Sequence, residues 1–456
     1  MRKFLTLTAA AALAVVFGFG GTAWADTLVV NDATTETAPC DSVGVAGGPV
    51  YDTIQEAIDD AIDGDTVLVC PGTYTEDLLI ATDNLTLVGV DLSTSIIKGV
   101  ATVVDPSPDG VPSGSDGGFP NVSTPSNIQI DADGVTITNL TIQSPPVDDA
   151  GTGGTGQYTS GITLVGKNIT ISDTDFFVST GMPGSVAIQT WAFGVFPTAD
   201  VSGLAITGNT FESSTIDTGV AGRSYEGVFI NGQDPATLDA GNPVVISGNH
   251  FSGNLHRAVG VTRDHTTVSG NTVCTNLTPE DTVDFGRIPW GIKVWGNSFG
   301  ADSLNVTVSD NTIGKRPCSP GNFNVGISIN ANATGTSEVA ENNVDHADFG
   351  INVINVADDW PVHNNSIGQS GVDGILIESD DNDVFRNATH HSGDDGIHFT
   401  ETAEGNTYDG NNSHHNADCG YQDDEGSNTF GTGKDKNKSR KNAHNEIPCT
   451  TPTGGD

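Results

Sequence analysis

Glycines followed by a short apolar run recur through the second half of the chain, at Gly227, Gly260, Gly291, Gly326, Gly350, Gly374, Gly396 and Gly420. Their spacings are 33, 31, 35, 24, 24, 22 and 24 residues. A period of 22 to 24 residues with no helical pattern between is what a coiled β-solenoid leaves in a sequence, because each turn must bury its apolar face against the next. The longer spacings then mark turns with extra loop residues. Alternating Ile, Val and Thr predict strands in runs such as Val135 to Ile142, Leu204 to Phe211, Val244 to Phe251 and Leu304 to Ile313. The pairs Gly208-Asn209, Gly248-Asn249, Gly270-Asn271 and Asp310-Asn311 predict tight turns at positive φ. Asn343, Asn365, Asn387 and Asn412 recur in step, and identical amides on successive turns predict a hydrogen-bonded ladder with a spacing of about 4.8 Å.

The N-terminus sets the compartment. Arg2 and Lys3 precede an apolar run from Phe4 to Phe19, and Ala23-Trp24-Ala25 supplies small residues around a cleavage point before Asp26. We expect a signal peptide over residues 1–25, no membrane span after it, and a secreted monomer, extracellular or periplasmic. One domain is expected over residues 26–430, with a tail over 431–456 where Lys434, Lys436, Lys438, Arg440 and Lys441 crowd together. A solenoid must also hide its first edge. Residues 53–63 offer the lid: Ile54, Ala57, Ile58, Ala61 and Ile62 share a helical face, Thr53 and Glu56 make a capping-box pattern, and Gly64 ends it. Six cysteines in an oxidising compartment predict disulfides. Of the 15 possible connectivities, pairing of neighbours is expected: Cys40 with Cys70, Cys274 with Cys318, Cys419 with Cys449.

The stretch from Thr53 through Gly64-Asp65-Thr66-Val67 to Pro71-Gly72-Thr73-Tyr74, then Leu85-Thr86-Leu87-Val88-Gly89 and the later Gly-Ile and Asn-rich turns, resembles right-handed parallel β-helix proteins of the pectin-lyase-like class. It is most similar in look to the carbohydrate-binding and sugar-hydrolase branch that includes periplasmic NosD-like proteins. The resemblance implies an all-β solenoid over about residues 50 to 430. It leaves the reaction open among polysaccharide lyases, hydrolases, epimerases and non-catalytic binders.

Charge narrows the partner. The chain has 58 acidic against 17 basic residues, a formal charge of -41, which argues against nucleic acid and anionic membranes. Outside leader and tail, five of ten basic residues lie between 223 and 293: Arg223, Arg257, Arg263, Arg287 and Lys293. Tyr225, Trp290, Trp295, Glu226, Asp264 and His265 share the region. Cations that hold carboxylates, beside rings that stack on sugar faces, suit an extracellular acidic polysaccharide. If the protein is a lyase or epimerase, Arg257, Arg263 or Lys293 is the base or charge clamp, Glu226 and Asp264 are acid or metal groups, and Ca²⁺ is the expected cofactor. Arg223, Arg287, Tyr225, Trp290, Trp295 and His265 are the substrate-binding candidates. The bland alternative is that each cation pairs with a nearby acid on a solvated surface.

A second constellation is rich in imidazole. His390 and His414 fall at one repeat position, as do Asp394 and Asp418, and a pair of each on adjacent turns is a candidate site for Zn²⁺ or Cu²⁺. The alternative is a duplicated loop of similar polar residues. That leaves a third class of function, a structural or metal-handling surface protein.

Overall fold

The computed structural model describes residues 25–31, 40, 50–100, 126–144, 160–178, 185–190, 200–213, 225–232, 238–253, 255–275, 289–296, 303–314, 318, 323–431 and 436–449. The expected leader up to Trp24, together with Arg223 and Arg287, lies outside them, and Tyr225 is described in its backbone alone.

The chain winds as a parallel β-helix. Thr66–Val69, Gly72–Thr75 and Leu78–Ile80 each enter a different sheet, and Thr86–Gly89, Ser95–Lys98 and Ser126–Ile130 stack on them in the same order. Repetition of this step builds sheets of 15, 13 and 12 strands, paired in parallel throughout. The right-handed winding is the one that twisted strands of L-residues favour in parallel crossovers. Inward positions repeat Ile, Leu and Val, as in the column Ile137, Ile171, Ile206 and Ile246 of the first sheet, all fully buried. Each such side chain contributes about 1.5–3 kcal/mol by leaving water. The runs read as single strands in sequence are broken by a corner: Asn139, at φ 57, separates Thr136–Thr138 in the first sheet from Thr141–Ser144 in the second.

The lid is a short helix, α1, over Ile54–Asp60, capped by Thr53, whose hydroxyl accepts from Glu56 N–H at 3.2 Å. Glu76 completes the cap by accepting from the N–H groups of Ile54 and Gln55 at 2.9 and 3.0 Å, a carboxylate on the orphan donors of the first turn. Ile54, Ala57 and Ile58 are buried, but Ile62 is half exposed, against expectation, because the helix ends before Ala61 turns extended.

Two ladders fix the register. In the third sheet, Gly227, Ala258, Gly291, Gly326, Gly350, Gly374, Gly396 and Gly420 lie one above another. A Cβ on Gly350 would come within 2.3 Å of Ile367 Cγ2 and 2.5 Å of Gly374 O, so the position admits almost no side chain. Ala258, not Gly260, belongs to this column; Gly260 sits two residues further on, opposite Phe229 and Lys293. The second ladder is amide. Asn209, Asn249, Asn271, Asn311, Asn342, Asn365, Asn387, Asn411 and Asn437 are buried, and each accepts through Oδ1 or donates through Nδ2 to its neighbour at 2.9–3.1 Å. The residue before each of the first eight is left-handed, Gly208, Gly248 and Gly270 among them. Asn365 and Asn387 are members, whereas Asn343 and Asn412 are displaced by Asn342 and Asn411: the ladder uses the corner, and the next residue already starts an outward strand position.

The coil also continues past the composition break at 430. Lys438–Arg440 pairs with Asn412–His414, and Asn437 extends the ladder. Disulfides join Cys40 to Cys70, Cys274 to Cys318 and Cys419 to Cys449. No helix among the described residues is long and apolar enough to cross a membrane.

Candidate functional site

Outward positions of the third sheet carry the chemistry. Phe229, Gly260, Lys293, Ser328, Asn352, Leu376, His398 and Gln422 are successive neighbours in one column of that face. Beside it run Glu226, Arg257 and Trp290.

Five of the expected residues meet at the upper end. Arg257 Nη2 donates to Glu226 Oε1 at 2.7 Å, with both side chains about nine-tenths buried. The Arg257 guanidinium also lies 4.5 Å from the Trp295 ring centroid and 5.2 Å from that of Phe229, and those two rings stack at 5.5 Å. Gly260 makes this possible: a Cβ there would sit 2.8 Å from Arg257 Nε and 3.0 Å from Phe229 Cδ2. Lys293 Nζ is 4.0 Å from the Trp290 ring and 5.3 Å from Trp295. No carboxylate lies within ion-pair distance of Lys293 among the described residues. Burial pulls its pKa below the ordinary lysine value, Arg257 adds to that, and Glu226 opposes it. Arg257 Nε is buried without an acceptor among the described residues. The result is a cation–aromatic cluster, each contact contributing about 0.5–2 kcal/mol, in which Glu226 neutralises Arg257 and leaves the ammonium of Lys293 available.

The same residue class does other work one corner away. Arg263 is fully buried and donates to the carbonyls of Asp264 and His265 at 2.9 and 3.2 Å and to Ser202 Oγ at 3.1 Å. Burial lowers its pKa to about 10, with Asp200 and Asp264 opposing. Asp264 Oδ1 accepts from the N–H groups of His265 and Asn305, and His265 is the left-handed corner residue at φ 52. Arg263, Asp264 and His265 therefore brace the turn between the third and first sheets and stand apart from the cation–aromatic cluster. Nearness in sequence to Arg257 and Lys293 does not bring Arg263 to their face, because the chain turns the corner into the first sheet between Val261 and Thr266.

Phe229 escaped the sequence reading although its signal was present: it follows Gly227 by two, as Lys293 follows Gly291. The lower end of the column also went unnoticed. His398 Nδ1 is 3.2 Å from Asp373 Oδ2 and 3.9 Å from Asp395 Oδ2, and its Nε2 is 3.1 Å from Asp424 Oδ2. Burial works against protonation, yet Asp373, Asp424 and Asp395 together hold the His398 pKa up to about 9. Burial pushes Asp395 up to about 7, against the hydrogen bond it accepts from Cys419 N–H. Asp373, Asp395 and His398 present ligand atoms close enough for one cation, and His398 is itself the cation that Asp373 and Asp424 contact most closely.

His390 and His414 do stack, at 5.6 Å between centroids on the second sheet. Asp394 and Asp418 do not join them. They sit beyond the next corner, Asp418 near His444 at 3.5 Å, and the imidazoles beside His390 and His414 are those of His391 and His415. Two acidic turns nearby use their carboxylates on backbone, Asp380 accepting from Glu404 N–H on the next coil and Asp423 from Gly426 N–H within its own turn.

No protein-family model matches the chain, and no curated protein matches it. Among solved structures it is similar to the catalytic unit of a thermostable GH87 alpha-1,3-glucanase from Streptomyces thermodiastaticus, at 14% identity and TM-score 0.49 over 92% of this chain and 70% of that one. An alginate lyase in complex with G6 gives 12% and 0.46 over 85% and 71%. The A-module of the Azotobacter vinelandii mannuronan C-5 epimerase AlgE6 gives 12% and 0.42 over 86% and 95%. The fold itself rests on the three parallel sheets described above.

Proposed function

We propose that this protein works outside the cytosol as a binder of acidic polysaccharide, and that the chain lies across the outer face of the third sheet at Phe229, Arg257, Trp290, Lys293 and Trp295. The observation that carries this reading is Lys293: in a chain of charge -41, a half-buried ammonium is held between two indoles with no carboxylate partner among the described residues. Such a cation favours an anionic ligand, and the rings beside it favour the apolar face of a pyranose. The column below offers length. Four coils separate Lys293 from His398, or about 19 Å at the usual strand spacing. Within that span Ser328 and Asn352 are buried on the outer face, and Asn352 Oδ1 has no donor among the described residues.

The test is calorimetric titration with oligogalacturonate, oligomannuronate and a neutral glucan. Lys293→Gln lowers affinity for the acidic oligomers about tenfold or more, as loss of a charge-assisted contact requires, and costs folding stability no more than the cation–aromatic contacts it removes, about 0.5–2 kcal/mol each. Binding of the neutral glucan with equal affinity, or no effect of Lys293→Gln, defeats the proposal. A second reading draws on the lowered Lys293 pKa: as a base at uronate C5 it predicts unsaturated product, visible by absorbance, and loss of that product in Lys293→Gln. Among the described residues Glu226 is committed to Arg257, so a convergent acid partner is lacking and binding is the reading we adopt.

A further inference from the structure

The second sheet carries a separate feature that the polysaccharide reading does not use. His390 Nδ1 lies 3.1 Å from His391 Nδ1, and one coil later His414 Nδ1 lies 2.8 Å from His415 Nδ1. The arrangement is copied closely between coils. His390 stacks on His414 and His391 on His415, with interplanar angles of 14° and 3°, and within each pair the rings meet edge to face at 86° and 80°. His391 and His415 hold it by taking the left-handed corner conformation, at φ 59 and 61. His390 and His414 are half buried; His391 and His415 are exposed.

Two ring nitrogens facing each other at this distance must share a proton or a cation. We propose that each pair is a two-nitrogen site for a divalent transition-metal ion, His390 with His391 forming the tighter one and His414 with His415 a weaker copy. At ordinary metal–imidazole lengths of about 2.0–2.1 Å, nitrogens this far apart subtend about 90°. That angle belongs to neighbouring positions of a square-planar or octahedral ion, the preference of Ni²⁺ or Cu²⁺.

An independent observation favours the first pair. Asp345, Gly368 and His390 occupy one register position on successive coils. Gly368 leaves a notch between the other two: the place where its Cβ would stand is 2.6 Å from Asp345 Oδ1 and 2.9 Å from His390 Nε2. Asp345 Oδ1 is buried and has no donor among the described residues. The carboxylate of Asp345 and the Cε1–Nε2 edge of His390 thus border the same notch, and a buried, unpaired negative charge beside the first pair favours a cation held there. The second pair has the opposite surroundings, since Arg440 follows His414 in register and Lys441 comes next in the chain. Repulsion from those cations makes it the weaker site.

The experiment is calorimetric titration of the untagged, chelator-treated full chain with Ni²⁺, chosen because it is redox-quiet. We expect two equivalents per chain of unequal affinity, undisturbed by excess Ca²⁺, which prefers oxygen ligands. His390→Gln with His391→Gln removes the tighter equivalent, His414→Gln with His415→Gln removes the weaker, and Asp345→Asn weakens only the tighter one, by about tenfold. Far-UV circular dichroism of each variant establishes that the fold is kept, and glutamine preserves hydrogen bonding at these positions. Ni²⁺ binding that survives replacement of all four histidines, or an untreated affinity no greater than that of the fourfold variant, overturns the proposal.

Discussion

The coils from Ser126 to Ile313 and those from Phe323 onward solve the same stacking problem with different materials. In the earlier coils the second sheet fills its interior with Phe176, Phe211 and Phe251, stacked at 4.8 and 4.6 Å. The register then passes through Val273, Ile313, Val344 and Ile367 to Thr389 and Ser413, whose hydroxyls bond at 2.9 Å. Later coils are short, at 22 to 24 residues, and satisfy themselves: asparagine ladders also run through Asn382, Asn406 and Asn428, and through Asn416 and Asn442. Earlier coils are longer and carry the aromatic and cationic side chains outward. Bulk in the core lets the early coils vary outside; polar ladders oblige the late coils to repeat. The outward aromatic and cationic side chains therefore concentrate where the repeat is loosest.

The largest expected effect breaks the late repeat. Gly350→Val drives a β-branched side chain into Ile367 and the Gly374 carbonyl and should cost about 3 kcal/mol or more, read as a fall in melting temperature or loss of soluble protein. At the equivalent early position nature already carries Ala258, and Ala258→Gly should cost about 1 kcal/mol or less. Equal effects at both positions would mean that the column tolerates side chains in the late coils as it does at Ala258.

Next comes the ladder. Asn365 accepts from Asn342 N–H and Nδ2 and donates to Val339 O and Asn387 Oδ1. Asn365→Ala strands these buried groups and should cost about 2–3 kcal/mol, measured by denaturant titration. Asn437→Ala, at the last rung of the ladder among the described residues, breaks an amide bond on one side alone and should cost less.

The smallest contrast is in pH. His398 has its pKa raised above its unfolded value to about 9, so its contribution is full below about pH 6.5 and disappears as pH rises through 9. Asp395, raised to about 7, loses its contribution as pH rises through 7. Asp395 has spent its share between about pH 4 and 7, so His398 carries the loosening of the last coils between pH 6.5 and 9, by roughly 1–3 kcal/mol. Limited proteolysis should open residues 397–424 over that range.

Much of this was legible because a solenoid turns sequence spacing into height. The period, the lid at Ile54–Asp60 and the gathering of Arg257, Lys293, Trp290 and Trp295 followed from spacing and composition. One-residue questions did not. Gly260 looks like a register glycine, yet it is an outward notch, while Ala258 holds the column. Asn343 and Asn412 are as good ladder candidates as Asn342 and Asn411 until the corner is located. Parity decides whether a side chain faces core or solvent, and only the pairing register reveals it.

Hydrogen exchange with and without a saturating acidic oligosaccharide tests the proposed binding face most directly. Slower exchange is predicted in Tyr225–Ile230, Leu255–Val261 and Trp290–Trp295. Protection confined to Ile397–Phe399 and Tyr421–Asp423, or absent from the third sheet altogether, would contradict it.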